Sequence, residues 1–263
     1  MTRRLRRLPE FEVSLLIKKD DFINPPREAQ KNWVLNRALA EFTGDLKHLD
    51  QLSKRFVAGC DQVRFDDRSQ RELTDQEIME DWQIPVMRAM AEACSESHGD
   101  VLEVGFGRGV SADFIQQAGV SSHTVIECSD FVVAKFNAWK EGRPGADIRL
   151  LHGKWQDVTG QLEQYDGIFF HTYPLTEEEY VDLAVKSVTF AEHFFPTASA
   201  NLRPAGRFTY LTNEIDSLSR GHQRLLFEHF RSFTLTRVDL LQIPADTRDA
   251  LWGDSMVVVK AIK

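Results

Sequence analysis

The stretch that most constrains this chain is Asp100-Val101-Leu102-Glu103-Val104-Gly105-Phe106-Gly107-Arg108-Gly109. A largely apolar run leads into three glycines spaced two apart, and an amphipathic run through residues 110–118 follows. That order predicts a buried strand, a tight glycine turn and the start of a helix. Glycine lets the backbone come close to a ligand, and a helix N-terminus offers unpaired N–H groups. The loop is therefore predicted to cradle a nucleotide-like ligand.

The flanking chain supplies the rest of an α/β domain. Upstream, Thr74-Asp75-Gln76-Glu77 reads as a capping box, opening a helix that carries Ile78, Met79, Trp82 and, past Pro85, Val86, Met87 and Met90. Downstream, strands are predicted at 123–127, 148–151, 165–171, 206–211, 233–238 and 255–259. Helices are predicted at 131–139 and 177–195, the second ending near Pro196. An alternating series closing on a hairpin fits a mostly parallel sheet with one antiparallel edge. Ligands of such sheets sit outside the carboxyl ends of the strands. Residues 1–75 read as a helical N-terminal extension, with apolar stripes in 27–42 and 46–56, serving as an active-site lid or a dimer surface. Residues 76–263 read as the α/β domain.

Bulk properties exclude several classes. The 263-residue chain carries 40 acidic against 32 basic residues, a formal net charge of -8, which argues against a nucleic-acid-binding body. No apolar run reaches the ~18–20 residues of a membrane span, and no signal-peptide core follows the N-terminal arginines. Cys60, Cys94 and Cys128 lie far apart, without metal-ligand spacing, so neither a disulfide framework nor a metal site is expected. The expectation is a cytoplasmic protein, monomer or homodimer, with a small-molecule substrate and no nucleic-acid or membrane partner.

A Gly-x-Gly-x-Gly loop after a first strand serves either a dinucleotide or S-adenosylmethionine. The dinucleotide fingerprint asks for two residues before its third glycine, and here there is one. Glu103, two residues before Gly105, favours S-adenosylmethionine. Glu127, which ends the second strand where a carboxylate can take both hydroxyls of a ribose, is shared with NAD sites.

Longer matches sharpen the reading. Val101-Leu102-Glu103-Val104-Gly105-Phe106-Gly107, Ile126-Glu127-Cys128, Gly153-x-Trp155-x-Asp157-Val158 and Tyr165-Asp166-Gly167-Ile168 followed by Thr172-Tyr173-Pro174-Leu175 resemble guanidinoacetate N-methyltransferase. So does Met79-Glu80-x-Trp82-x-x-Pro85-x-Met87, and the likeness runs over residues 76 to 212 in the same order. The resemblance implies a Rossmann-like class I S-adenosylmethionine-dependent methyltransferase, with a seven-stranded, mostly parallel sheet carrying one antiparallel strand. It implies that Gly105, Phe106 and Gly107 pass under the methionine part of the cofactor and that Glu127 holds the ribose. Cys128 and Ser129 would border the adenine, Gly153 and Lys154 would flank its other side, and Met79 and Met87 would pack nearby.

The chain departs from that family at two positions. The family holds a guanidinium with a Glu after the upstream Trp and an Asp before Thr-Tyr-Pro; here they are Gln83 and His171. A planar cation wants paired carboxylates in fork geometry. Gln83 brings no charge, and a protonated His171 would repel a guanidinium. The expected activity is N- or O-methylation of a small polar, neutral or anionic metabolite. A guanidino-compound methyltransferase and a non-catalytic S-adenosylmethionine-binding regulator are the alternatives. His171, at the carboxyl end of a strand beside the methyl donor, is the candidate base or substrate-positioning group and also borders the cofactor. Gln83, Thr172, Tyr173, Asn213 and Glu214 are the candidate substrate contacts.

Overall fold

The computed structural model describes residues 72–176, 179, 183, 187–215, 217–240, 243 and 252–263. The predicted helices within 27–56, and most of the one predicted at 177–195, lie outside the described residues.

The capping box forms as expected at helix α1, Asp75–Ile78. Thr74 Oγ1 accepts from the Glu77 N–H at 3.3 Å, and Glu77 Oε2 accepts from the Thr74 N–H at 2.9 Å. The single helix predicted to follow is broken into three pieces. Met79 is extended (φ -163°, ψ 134°), one 3₁₀ turn spans Asp81–Gln83, and helix α2 runs Ile84–Cys94. Pro85 sits in the first turn of α2, where its missing N–H costs no hydrogen bond.

Strands β1 (Asp100–Val104), β2 (Ser122–Glu127), β3 (Ile148–His152) and β4 (Tyr165–Phe170) alternate with helices α3 (Val110–Gln117), α4 (Asp130–Glu141) and the short α5 (Trp155–Val158). A 3₁₀ turn at Phe190–Phe194 leads into α6 (Phe195–Asn201), so Pro196 opens a helix rather than closing one. Then follow β5 (Leu202–Thr212), α7 (Arg220–His229), β6 (Ser232–Asp239) and β7 (Ser255–Ile262). Helix α7 is a further departure. Its sequence is strongly polar on average, with His222 and Leu226 buried, and Ser219 caps it by accepting from the His222 N–H at 3.2 Å.

The seven strands order as β3-β2-β1-β4-β5-β7-β6. β1 to β5 run parallel, and β7 is antiparallel to both β5 and β6. The antiparallel strand is thus inserted beside the edge, and β6 forms the edge itself. This is the class I methyltransferase arrangement. On one face Leu102, Ile168, Phe170, Phe208 and Tyr210 pack with Phe194 and Phe195; on the other Val101, Phe169 and Leu211 pack with Met87 and Met90 of α2. α2 comes so close that a Cβ on Gly167 would lie 1.9 Å from the Cys94 carbonyl oxygen. Strand order reverses at β1 and β4, so the carboxyl ends of these two strands open onto the crevice where ligands of such sheets bind.

Candidate active site

The loop after β1 takes its shape from glycine. Gly105 has φ 92°, and a Cβ there would stand 2.3 Å from the His171 carbonyl oxygen. The Gly105 N–H donates to Ile126 O at 2.9 Å, and the His171 N–H donates to Val104 O at 3.1 Å. The carboxyl ends of β1, β2 and β4 are therefore laced together by main chain. Gly109 (φ 77°) then starts α3.

Glu127 joins the same frame. Its Oε2 accepts from the N–H of Phe106 at 3.1 Å and of Gly107 at 3.5 Å, while Oε1 accepts from Cys128 at 2.8 Å and Ser129 at 2.9 Å. The carboxylate is thus held by the loops after β1 and β2. Beside it opens a compartment of about 970 Å³, part of it open to solvent. Met79, Met87, Gly105, Phe106, Gly107, Glu127, Cys128, Ser129 and His171 all line it. An adjoining compartment of about 380 Å³ is lined by Gly153 and Lys154. Thr172 and Tyr173 line both. The structure thus brings together every residue the sequence assigned to the cofactor and two assigned to the substrate.

Gln83, Asn213 and Glu214 are not among the residues lining either compartment. Gln83 Oε1 accepts from the Glu80 N–H at 3.1 Å and caps the 3₁₀ turn. Glu214 Oε2 accepts from His222 Nδ1 at 2.6 Å and from the Ser219 N–H at 3.3 Å; His222 Nε2 lies 2.6 Å from the Tyr210 hydroxyl. Burial, and then the Glu214 charge, hold the Tyr210 phenol well above its usual pKa. This chain ties the segment after β5 to the first turn of α7.

Glu103 is fully buried and outside the cavity lining. It accepts from Ser111 Oγ, and its other oxygen lies 3.0 Å from His123 Nε2, off the line a hydrogen bond requires. Its place in the frame is to hold α3 to β1.

The chemistry of the cavity is mostly neutral. His171 Nε2 is buried with no hydrogen-bond partner, and burial pushes the imidazole down to about 4, so the ring is uncharged at neutral pH. Its ring meets Trp252 edge-on at 6.3 Å, and Trp252 meets Trp82 at 5.2 Å. Burial and the Glu127 charge push the Cys128 thiol up to about 12, which removes it as a nucleophile at neutral pH. Lys154 Nζ pairs with Glu179 Oε1 at 2.7 Å. No group of three or more His, Cys, Asp or Glu placed to hold a metal occurs among the described residues. Sequence reasoning gave no role to Trp252 or Arg108. Trp252 falls where the family likeness is loose, and Arg108 stands at a position that the glycine spacing leaves unspecified.

The family described as guanidinoacetate N-methyltransferase matches this chain over residues 57–222. The chain belongs to that family. Among curated relatives it is 30% identical over 164 residues to protein arginine N-methyltransferase 2 of Yarrowia lipolytica, covering 57% of this chain and 32% of that protein. It is 32% identical over 151 residues to the protein of the same name from Emericella nidulans, covering 54% and 32%. The chain spans about a third of the length of these relatives. Among solved structures, N-methyltransferase NodS from Bradyrhizobium japonicum WM9 with S-adenosyl-L-homocysteine aligns with a TM-score of 0.45 at 12% identity, over 70% of this chain and 88% of that one.

The chain therefore joins the guanidinoacetate N-methyltransferase family to the class I, S-adenosylmethionine-binding methyltransferase fold. Its residues suit that cofactor. A glycine loop that a Cβ would block leaves main chain free to approach a ligand, the Glu127 carboxylate suits a diol, and apolar Met79, Met87 and Phe106 flank the same space. At the two guanidinium-binding positions of the family pattern, this member has an amide used in a turn and a neutral imidazole.

Proposed function

We propose that this methyltransferase acts on nitrogen or oxygen of a small polar acceptor that is neutral or anionic, not on a guanidinium. The carrying observation is the uncharged, buried and unpartnered His171 Nε2 at the carboxyl end of β4, where the family pattern has a carboxylate. The remaining carboxylates of the cavity support this reading. Glu127 is anchored by main-chain N–H groups and assigned to the cofactor, and Glu179 is engaged by Lys154 and the Leu175 N–H. A guanidinium would find no free carboxylate pair among the described lining residues.

S-adenosylmethionine supplies an electrophilic methyl group; the chain's part is placement. The glycine loop and Glu127 are assigned to the cofactor's methionine and ribose ends, and Thr172 and Tyr173 to the acceptor side. A neutral imidazole with a free lone pair takes a proton from an O–H or heteroaromatic N–H as the methyl group arrives, or holds the acceptor in line. Asn213 and Gln83 are assigned to the periphery of the acceptor site, and Glu214 to shaping the segment after β5.

A second reading, methylation of a guanidino compound, is favoured by the family description and by the names of the relatives. Incubation with methyl-labelled S-adenosylmethionine and a panel of phenols, imidazoles, small carboxylates, guanidinoacetate and arginine separates the two. Label is expected in a non-guanidinium acceptor, with loss of at least ~100-fold in rate for His171→Ala, the lower end of what a positioned acid or base contributes. Faster labelling of guanidinoacetate or arginine overturns the proposal.

A further inference from the structure

Between α1 and the 3₁₀ turn the chain runs extended through Met79 and Glu80, both with β-region backbone angles. This strap, residues 75–81, lies on the glycine loop. Ile78 Cγ2 would stand 3.2 Å from a Cβ on Gly107. Leu73, Ile78 and Met79 form part of the wall of the larger compartment.

Apolar burial seats the strap only at its middle, where Met79 is buried in the core and Ile78 packs against it. α1 has four residues, none of them buried, and a helix of one turn has no stability of its own. Polar contacts fasten the strap on either side of that apolar seat. Arg108, inside the glycine loop, donates through Nη1 to Met79 O at 2.7 Å and to Asp81 Oδ1 at 2.9 Å, and Lys135 of α4 pairs with Asp75. These contacts are unequal. The side chains of Asp81 and Asp75 are 80% and 63% exposed, so their ion pairs are weak and screened by salt. The bond to Met79 O is charge-assisted and comes from a guanidinium that is only 22% exposed. Of the polar contacts named, it is the best shielded from solvent.

We propose that Arg108 is a latch: it holds the 75–81 strap over the cofactor cavity, and parting from Met79 O is the step that lets S-adenosylhomocysteine leave. The inference rests on the S-adenosylmethionine dependence stated above and is independent of the methyl acceptor. Arg108 acts here as a positioning residue through the strap. Release of this kind limits turnover in many enzymes with a closing segment.

The test is surface plasmon resonance of S-adenosylhomocysteine on the immobilised full chain. Arg108→Met is expected to raise the dissociation rate about tenfold, the net worth of one charged hydrogen bond, with the association rate within about threefold of wild type. Arg108→Lys keeps the charge and one donor and is expected to recover part of the loss. Asp81→Asn, which leaves the Met79 bond intact, is expected to raise the rate about two- to threefold at low salt and not at all in molar salt. A dissociation rate for Arg108→Met within twofold of wild type overturns the latch. So does an increase that Arg108→Lys does not reduce, since that marks a distorted glycine loop rather than a lost bond. Wild-type protein that fails to bind S-adenosylhomocysteine overturns the cofactor reading and the latch with it.

Discussion

The Glu127 carboxylate and the Phe106 N–H lie 3.1 Å apart, which makes the end of β2 a support for the loop after β1. The group assigned to the ribose also holds the glycine loop in shape. Replacing Glu127 by Gln turns an NH₂ toward main-chain N–H groups on one side or the other. The cost is about 1–3 kcal/mol for the donor left unpaired. S-adenosylhomocysteine affinity is expected to fall at least ~10-fold in Glu127→Gln and further in Glu127→Ala. Isothermal titration checks both, and unchanged affinity would remove Glu127 from the cofactor site.

Two glycines with similar backbone angles should respond very differently to the same substitution. Gly105 (φ 92°) faces the His171 carbonyl oxygen, 2.3 Å from where a Cβ would stand. Gly119 (φ 70°), just after α3, has nothing within 4 Å of that point. Gly119→Ala carries only the left-handed backbone penalty, about 1–2 kcal/mol. Gly105→Ala adds a clash between two strand ends and is expected to cost more than about 3 kcal/mol, or to prevent folding. Urea denaturation of both variants decides the comparison.

What was legible in the sequence was local. Strand, glycine turn and helix from Asp100 onward follow from a short, largely apolar run and residues tolerant of positive φ, and both signals sit within a few positions. The cofactor residues followed from motif likeness, and they line two adjoining compartments. What was hidden depends on partners far along the chain. Met79 breaks an apparently continuous helix and is held by Arg108, twenty-nine residues on. Glu214 reads as a substrate-side acid until His222 and Tyr210 are seen to surround it. Helix α7 was missed because its sequence is polar on average and its short apolar face rests on Leu225 and Leu226.

His171 makes stability depend on pH in a defined window. Its folded pKa is lowered to about 4 from 6.5 by burial, so between those values the unfolded chain binds a proton that the folded chain refuses. The contribution is complete above about pH 6.5 and is lost as pH falls toward 4. The size is about 3 kcal/mol for a shift of this order. His171→Phe is expected to flatten that part of the stability–pH curve. A variant curve parallel to wild type from pH 4 to 6.5 would mean that the imidazole is charged in the folded protein.

Reversing the two replacements tests whether they set the acceptor. Gln83→Glu with His171→Asp restores the family's carboxylates at the positions where this chain has an amide and a neutral ring. Close charge pairs of this kind carry roughly 2–5 kcal/mol each by interface precedent. The double variant is therefore expected to bind guanidinoacetate at least ~100-fold more tightly than wild type when S-adenosylhomocysteine is present. Each single variant should gain less than half of that free energy, because one carboxylate cannot form the fork. His171→Asp alone also leaves a buried carboxylate without a partner, so its melting temperature should drop and recover when guanidinoacetate is added. Titration calorimetry and thermal melts measure both effects. If wild type already binds guanidinoacetate as tightly as the double variant, the two replacements do not set the acceptor, and the guanidino reading takes precedence.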